Sequence, residues 1–429
     1  MTVDLQSIPF DPADAKAALT QLSAKPAVFA LYGAEARDEP YVGRTPNLRA
    51  RLERLLQPSP KHPRRLQLAG RVRRIAWRLT GSEFESLLAQ FSMLDQVYGA
   101  KALERMHLRS PAFVRFLGGN PYPRITVTYR PSQREAGWCY GPFASRAAAE
   151  RFSDEALKLF LLRRCTDDLN PDPNHPGCVY SEMKMCLAPC YKGCTDERYA
   201  KEAGAVESFL ATRGESRLVV LRGERDAASA NLEFENAATL HAAVQRVEGV
   251  RALAPELVRP LSRLRAVILQ QSADSDEVAV FLFENGRMSG PVAFSTVGMR
   301  IQNEQSGSSS LFAHPMAIEP VPEIPSIETP ALESSLGDAS VIKAPRTARS
   351  ILEARMEAVL AALNIPGESP SPTVRQGHLA LLKRWYYRSE ARRVGEIFFT
   401  DAEDHWPIKA LLRGVGRVAA KMLAHADPA

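Results

Sequence analysis

The sequence predicts an α+β protein of several domains, and three observations point there. Short apolar strand patterns alternate with amphipathic helical ones through residues 26–100, and all six cysteines fall between Cys139 and Cys194. A Ser-, Pro- and Glu-rich stretch at 303–347 then interrupts the folded pattern before a last helical segment. A chain of 429 residues exceeds one ordinary domain, so roughly two to four units are expected.

Each element follows from its residues. "AVFALYG" is an apolar strand, "PYVG" a second, and the helix after it carries Leu48, Leu52, Leu55 and Leu56 on one face. "RIAWRLT" reads as a third strand. Gly81 and Ser82 can cap the next helix, "EFESLLAQFSMLDQVYG". Its stripe of Phe84, Leu87, Leu88, Phe91 and Leu94 predicts an amphipathic helix lying on the sheet. "PYPRITVTYR" gives a further strand, and "GPFASRAAAERFSDEALKLFLL" a turn and helix. Residues 196–250 alternate charged and apolar positions as two helices, "ERYAKEAGAVESFLATRG" and "RLVVLRGERDAASANLEFENAATLHAAVQRVEGV", expected to form an antiparallel hairpin. "LRAVILQQS" and "EVAVFLFENGRMSGPVAFST" read as strands, the latter a hairpin turning at Glu284-Asn285-Gly286. Residues 303–347 have the composition of a flexible linker and 348–425 that of helices, with no internal repeat.

The net charge of +6 is unevenly placed: from Arg44 to Arg78, eleven Lys or Arg face one acid, Glu53. A solvated helical face normally mixes both signs, whereas this concentration suits a polyanion such as nucleic acid. No apolar run is long enough to span a bilayer, and "MTVDLQSIPFDPADAK" has no apolar signal core. The expectation is a cytoplasmic protein with no membrane partner. In that reducing compartment, clustered cysteines point to metal or cluster binding rather than a disulfide scaffold.

"AVF" followed by "YVG", then "NLRARL" and an amphipathic helix, resembles the GIY-YIG nuclease domain. Together with "GPFASRAAAERF", "CLAPC" and "LEFENAATLHAAV" in that order, it resembles the N-terminal half of the bacterial excision-repair subunit UvrC, to about residue 300. The resemblance implies a small GIY-YIG-type α/β sandwich at 22–105 and a UvrC-like cysteine-rich region at 106–195. A helical hairpin at 196–250, a β segment at 257–300, a linker at 303–347 and C-terminal helices at 348–425 complete the expected order.

Cutting a phosphodiester requires a water to be deprotonated, a pentacovalent phosphorane to be neutralised and a departing oxyanion to be stabilised. The resemblance implies that Tyr41, the "YIG" tyrosine, stands by the water, with Gly43 giving the close turn. It places Arg44 at the phosphate or water network and makes Arg51 the helix arginine whose fork grips phosphate oxygens. It also implies one Mg²⁺ or Mn²⁺ held by a glutamate. Two positions depart from this pattern: Phe29 stands where the family has its first tyrosine, and Gln90 where it has the metal glutamate. Tyr32 lies on the opposite sheet face, and a neutral Gln lacks the charge that holds a hard cation. Glu83 lies two turns back, about 10 Å by helix rise, Glu85 points elsewhere, and Leu55 stands where relatives often carry Tyr. Arg49, Arg54, Arg64 and Arg65 are expected to contact DNA phosphates. The scaffold is kept and the metal site weakened.

Cys165, Cys178, Cys186 and Cys190 are separated by 12, 7 and 3 residues. Four thiolates with a short Cys-x3-Cys end can enclose Zn²⁺ or an iron–sulfur cluster, and spacing does not separate the two. The resemblance implies a [4Fe–4S] cluster, with Zn²⁺ as the alternative and Cys139 and Cys194 as spectators. "NLEFENAATLHAAVQRV" is similar to the UVR motif through which UvrC contacts UvrB, with Leu232, Phe234, Ala237, Ala238, Leu240 and Val244 as its apolar stripe. A UvrB-like helicase subunit and damaged double-stranded DNA are therefore the expected partners.

Beyond residue 300 nothing resembles the family's RNase H-like nuclease or its tandem helix-hairpin-helix units, although "LLRGVGRVAA" carries a Gly-Val-Gly turn of that kind. In this the chain resembles Cho, the short homologue that makes the 3′ incision. Two functions are expected from the resemblance: a UvrB-dependent, structure-specific endonuclease with a partly degenerate metal site, or a catalytically inactive DNA- and UvrB-binding accessory.

Overall fold

The structure is a computed structural model, which describes residues 5–35, 38–57, 68–132, 134–297, 299, 348–364 and 369–426. Arg64, Arg65 and the expected linker at 303–347 lie outside the described residues. Among the described residues the chain is a mixed α+β protein with three four-stranded sheets, all their pairings antiparallel.

The N-terminal unit runs β1 (Gln6–Pro9), α1 (Ala15–Thr20), β2 (Ala27–Tyr32), β3 (Tyr41–Thr45), α2 (Leu48–Leu56), β4 (Arg74–Leu79), α3 (Glu83–Tyr98) and α4 (Lys101–Arg105), with sheet order β1-β4-β2-β3. Alternation divides its residues between two faces. Phe29, Leu31, Ile75 and Trp77 join Leu48, Leu52, Leu55 and Leu56 of α2 in one core, while Val28 and Ala30 face Ala89 and Met93 of α3 on the other. Strand β1, paired with β4 from Gln6↔Trp77, extends the sheet beyond the expected start at residue 22. Its four residues carry no strand pattern of their own, and the pairing comes from the partner strand.

Ser82 caps α3 as expected, its side chain accepting from the Glu85 N–H. The expected stripe, however, does not lie on the sheet beside it. Phe84, Leu87, Leu88, Phe91 and Leu94 pack instead with Phe281, Phe283, Leu379, Leu382 and Trp385 from the far end of the chain. The smaller side chains, Ala89 and Met93, meet the N-terminal sheet. Helix α3 is buried on both sides because it separates two sheets.

The middle of the chain forms β5 (Ala112–Phe116), β6 (Ile125–Thr128), β7 (Cys139–Phe143), α5 (Arg146–Leu157), α6 (Val179–Glu182), α7 (Asp196–Ala211), α8 (Glu215–Ala230), α9 (Phe234–Ala252) and β8 (Arg259–Pro260), with sheet order β6-β5-β7-β8. One core joins Val114, Phe116, Tyr140 and Phe152 to Tyr199, Phe209, Leu218, Val244 and Val250, so sheet and helices fold together. Residues 196–252 are three helices rather than two. Helix α8 ends in a Schellman closure in which Leu232 (φ +64°) donates to the Ser229 carbonyl and Glu233 to that of Ala228.

The last unit comprises β9 (Ala266–Gln271), β10 (Glu277–Glu284), β11 (Arg287–Ser295), α10 (Ala348–Leu363), α11 (Pro372–Tyr386), β12 (Glu396–Phe399) and α12 (Ile408–Ala426), in sheet order β11-β10-β9-β12. The β10–β11 hairpin turns at Asn285 and Gly286, both at positive φ, as expected. The segment expected to be helical throughout supplies β12, which pairs Glu396–Phe399 with Leu269–Ala266. "LLRGVGRVAA" is not a helix-hairpin-helix turn but the interior of α12. There Gly414 lets the ring of Phe398 approach to 2.5 Å from where a Cβ would stand.

Candidate nucleic-acid interface and thiol centre

Helix α2 starts where Asn47 caps it, accepting from the Ala50 N–H at 3.0 Å. That start places Arg51 one turn in, where its Nη2 donates to the Tyr41 hydroxyl at 3.4 Å. Phe29 lies beside Tyr41, ring centroids 6.1 Å apart, and is fully buried. Gly43 sits across from Phe29, and a Cβ there would stand 2.8 Å from Phe29 Cζ, so glycine is required for the ring to fit beneath the strand. Arg49 donates from Nε to the Leu22 carbonyl at 2.8 Å, and Arg54 is exposed near the end of α2.

Arg44 is not brought to this group. Paired across from Val28, it projects from the α3 face of β3 and reaches Glu83 at 3.6 Å. Gln90 is half-buried on α3, beside Ala89 on that same side of the sheet. The two nearby carboxylates are committed elsewhere. Glu83 accepts from Arg388 at 2.8 and 2.9 Å, and the Arg388 hydrogen bonds lead in holding its carboxyl below the usual range, with Arg44 adding to the effect. Glu85 is buried, accepts the Gly81 N–H at 2.9 Å and pairs with Arg78 at 3.5 Å. Burial raises its carboxyl despite those two partners.

Cys165 and Cys178 lie within electrostatic reach of both Cys186 and Cys190, which also reach each other. Burial pushes the Cys186 and Cys190 thiols up, the charges of the other thiols push them further, and backbone N–H groups of Ala188 and Tyr191 oppose this. Ala188, at φ +53°, turns its N–H onto Cys186 Sγ at 3.3 Å. Arg163, 1% exposed, donates from Nη1 to Cys165 Sγ at 3.5 Å, while its Nη2 is buried with no partner. Cys194 interacts with Asp196 and Arg198 instead, and Cys139 sits in another core, where burial pushes its thiol up to about 11. Among the described residues, no three His, Cys, Asp or Glu side chains converge closely enough to hold one metal ion.

Of the expected partner stripe, Ala237 is half-buried, Leu240 packs on the helical core and Val244 is buried in it. Leu232 and Phe234 project from the α8–α9 turn, 71% and 67% exposed. A left-handed leucine is disfavoured by roughly 1–2 kcal/mol relative to the glycine usual there, and its exposure adds nothing to the fold.

Sequence reasoning overlooked Arg163 and Arg388. Arg163 has no local signal. Arg388 does: "KRWYYRSEARR", residues 383–393, sets five Lys or Arg against one acid, with three aromatics between them.

A cationic helix and strand edge, a group of thiols and a protruding apolar turn are thus carried on antiparallel α+β units. Residues 113–209 match the middle domain of UvrC/Cho excinucleases, and the chain is UvrC-like. It is 31% identical over 242 residues to UvrABC system protein C of Alcanivorax borkumensis, covering 56% of this chain and 39% of that protein. It is 31% identical over 274 residues to the protein of that name from Ruegeria pomeroyi (63% and 41%), and 28% over 278 residues to that from Aliivibrio salmonicida (64% and 43%). The chain thus spans about two fifths of the length of the curated relatives it matches. No solved structure matches it, and no helix among the described residues is long and apolar enough to cross a membrane.

Proposed function

We propose that this chain is a cytoplasmic UvrC/Cho-like component of nucleotide excision repair. In this reading it binds damaged double-stranded DNA, engages a UvrB-like helicase subunit and makes the 3′-side incision only weakly. The observation that carries this reading is the Tyr41–Arg51 pair at the start of the basic helix. Around it, we read the 22–105 region as a GIY-YIG-type unit. Arg51 presents its guanidinium to a phosphate and biases the Tyr41 hydroxyl, whose oxygen accepts from it, towards donating its proton outward. Arg49 and Arg54, with Arg64 and Arg65, supply sequence-independent phosphate contacts.

The residues at this site do not fit a divalent cation. Gln90 offers a neutral oxygen, Glu83 is taken by Arg388 and Glu85 by Gly81 and Arg78. No step is therefore assigned to Mg²⁺ or Mn²⁺. A second reading, a non-catalytic accessory, is favoured by Phe29, which offers no hydroxyl, and by the pairing of Arg44 with Glu83.

Although no three of these side chains close on a single ion among the described residues, the thiol group supports reading a cluster there. Four sulfurs, N–H groups donating to two of them, and a buried Arg163 with an orphaned Nη2 suit an anionic thiolate-ligated group. Cys165, Cys178, Cys186 and Cys190 would hold [4Fe–4S], or Zn²⁺ as the alternative. Such a group would clamp the loop between α5 and α7. Leu232 and Phe234, with Leu240 behind them, would meet the helicase partner.

The test is incision of lesion-containing duplex with UvrA, UvrB and Mn²⁺. Weak 3′ cutting, abolished by Tyr41→Phe or Arg51→Ala and raised by Gln90→Glu, is expected. Cutting that ignores Tyr41 and Arg51 refutes the site, and no cutting by the wild type or Gln90→Glu selects the accessory reading.

A further inference from the structure

Strand β3 is the edge of its sheet, and a cation flanks it on each side. Tyr41 and Arg51 lie on the α2 side and Arg44 on the α3 side. The α3 side continues directly into the C-terminal unit. Arg388, just past the end of α11, closes a two-pronged bond onto Glu83, so one carboxylate is shared by two guanidinium groups and the junction keeps positive charge. Beside it opens a groove of about 540 Å³ lined by Glu83, Arg388, Ser389 and Arg392. Arg384 and Arg392 are exposed.

The aromatics in this run serve the scaffold. Trp385 is buried and donates to the Val394 carbonyl, Tyr387 donates to that of Pro142, and Tyr386 lies under Arg393. They fix the backbone from which the arginines project. Cations held on a rigid frame beside one neutralised acid suit a repeating anion with fixed spacing better than a flexible acidic peptide.

We propose that Arg384, Arg388 and Arg392 form, with Arg44, a second phosphate-binding site for the nucleic-acid backbone, contributed by the C-terminal unit across the β3 edge from Tyr41 and Arg51. The site rests on the reading that the chain binds DNA and gives its last unit a role in it. The backbone would cross the strand edge and be gripped on both sides, which fixes its direction over α2.

The experiment is anisotropy of a fluorescein-labelled DNA duplex with the full chain over a series of salt concentrations. Arg384→Ala with Arg392→Ala, two exposed positions, should weaken binding about tenfold and reduce the slope of log K against log salt by about 2. Unchanged affinity and slope in that variant, with weakened binding in Arg49→Ala/Arg54→Ala, overturns the second site alone. A wild-type chain that fails to bind the duplex removes the DNA reading and this site with it. Loss of sedimentation with phosphatidylserine vesicles, with duplex binding intact, would reassign the patch to an anionic membrane and overturn it.

Discussion

The ring of Phe91 on α3 rests against the Cα of Gly377 on α11, so close that a methyl group on Gly377 would stand 2.1 Å from Phe91 Cζ. The contact joins the N-terminal unit to the C-terminal one, with His378 packed edge-on to the same ring at 5.6 Å. Gly81 makes a similar approach, its Cβ position 2.1 Å from the backbone carbon of Ser272.

Gly377→Ala should therefore lower stability, although alanine favours helices elsewhere. Overpacking of this kind costs about 1–3 kcal/mol. Urea melts of the full chain will read it, and Phe91→Leu in the same molecule should recover part of the loss.

His378 should make stability sensitive to acid. It is 2% exposed, accepts the Met288 N–H at Nδ1, and burial lowers its pKa to about 3 from the ordinary 6.5. Below about pH 6.5 the unfolded chain takes up a proton that the folded chain refuses. Stability is thus complete above that pH and is lost as pH falls, by up to about 1.4 kcal/mol per unit. His378→Asn keeps an acceptor for Met288 without titrating, so its melts between pH 6 and 4 should fall less steeply by about one proton.

Leu232→Asp with Phe234→Ala should leave the melting curve nearly unchanged, within about 0.5 kcal/mol, because both side chains face solvent. The same variant should lose co-purification with a UvrB-like helicase. Retained binding would show that this turn is not the contact.

Cys186→Ala should release the metal, read as iron and sulfide, or zinc, per chain after anaerobic purification. Arg163→Met should lower that content while Cys194→Ala leaves it intact, since Cys194 interacts with Asp196 rather than with the four thiols. Equal metal content in all three variants would refute the centre.

Much of the architecture could be read locally. Helix α2, with its four buried leucines, the Ser82 cap and the Asn285-Gly286 turn were visible because spacing and turn chemistry act over a few residues. Strands β1 and β12 were not, since each is defined by the strand it pairs with, from 65 or more positions away. The Tyr41–Arg51 pair was legible from a one-strand, one-helix motif. The commitment of Arg44 and Glu83 was not, because the residue that decides it, Arg388, is supplied 305 positions after Glu83. Leu232 was expected in an apolar stripe and is exposed, but its left-handed backbone could not be inferred from a leucine.

Because α3 turns Phe84, Leu87, Leu88, Phe91 and Leu94 towards a core that also needs Leu379, Leu382 and Trp385, the packing of the helix is completed late on the ribosome. Until α11 emerges, the part of this strip that Leu379, Leu382 and Trp385 cover stays open even after Phe281 and Phe283 are in place, a natural target for chaperones and a seed for aggregation. A fragment that stops short of residue 372 should therefore be poorly soluble, however complete its N-terminal unit, and its first domain matures only when its last one does.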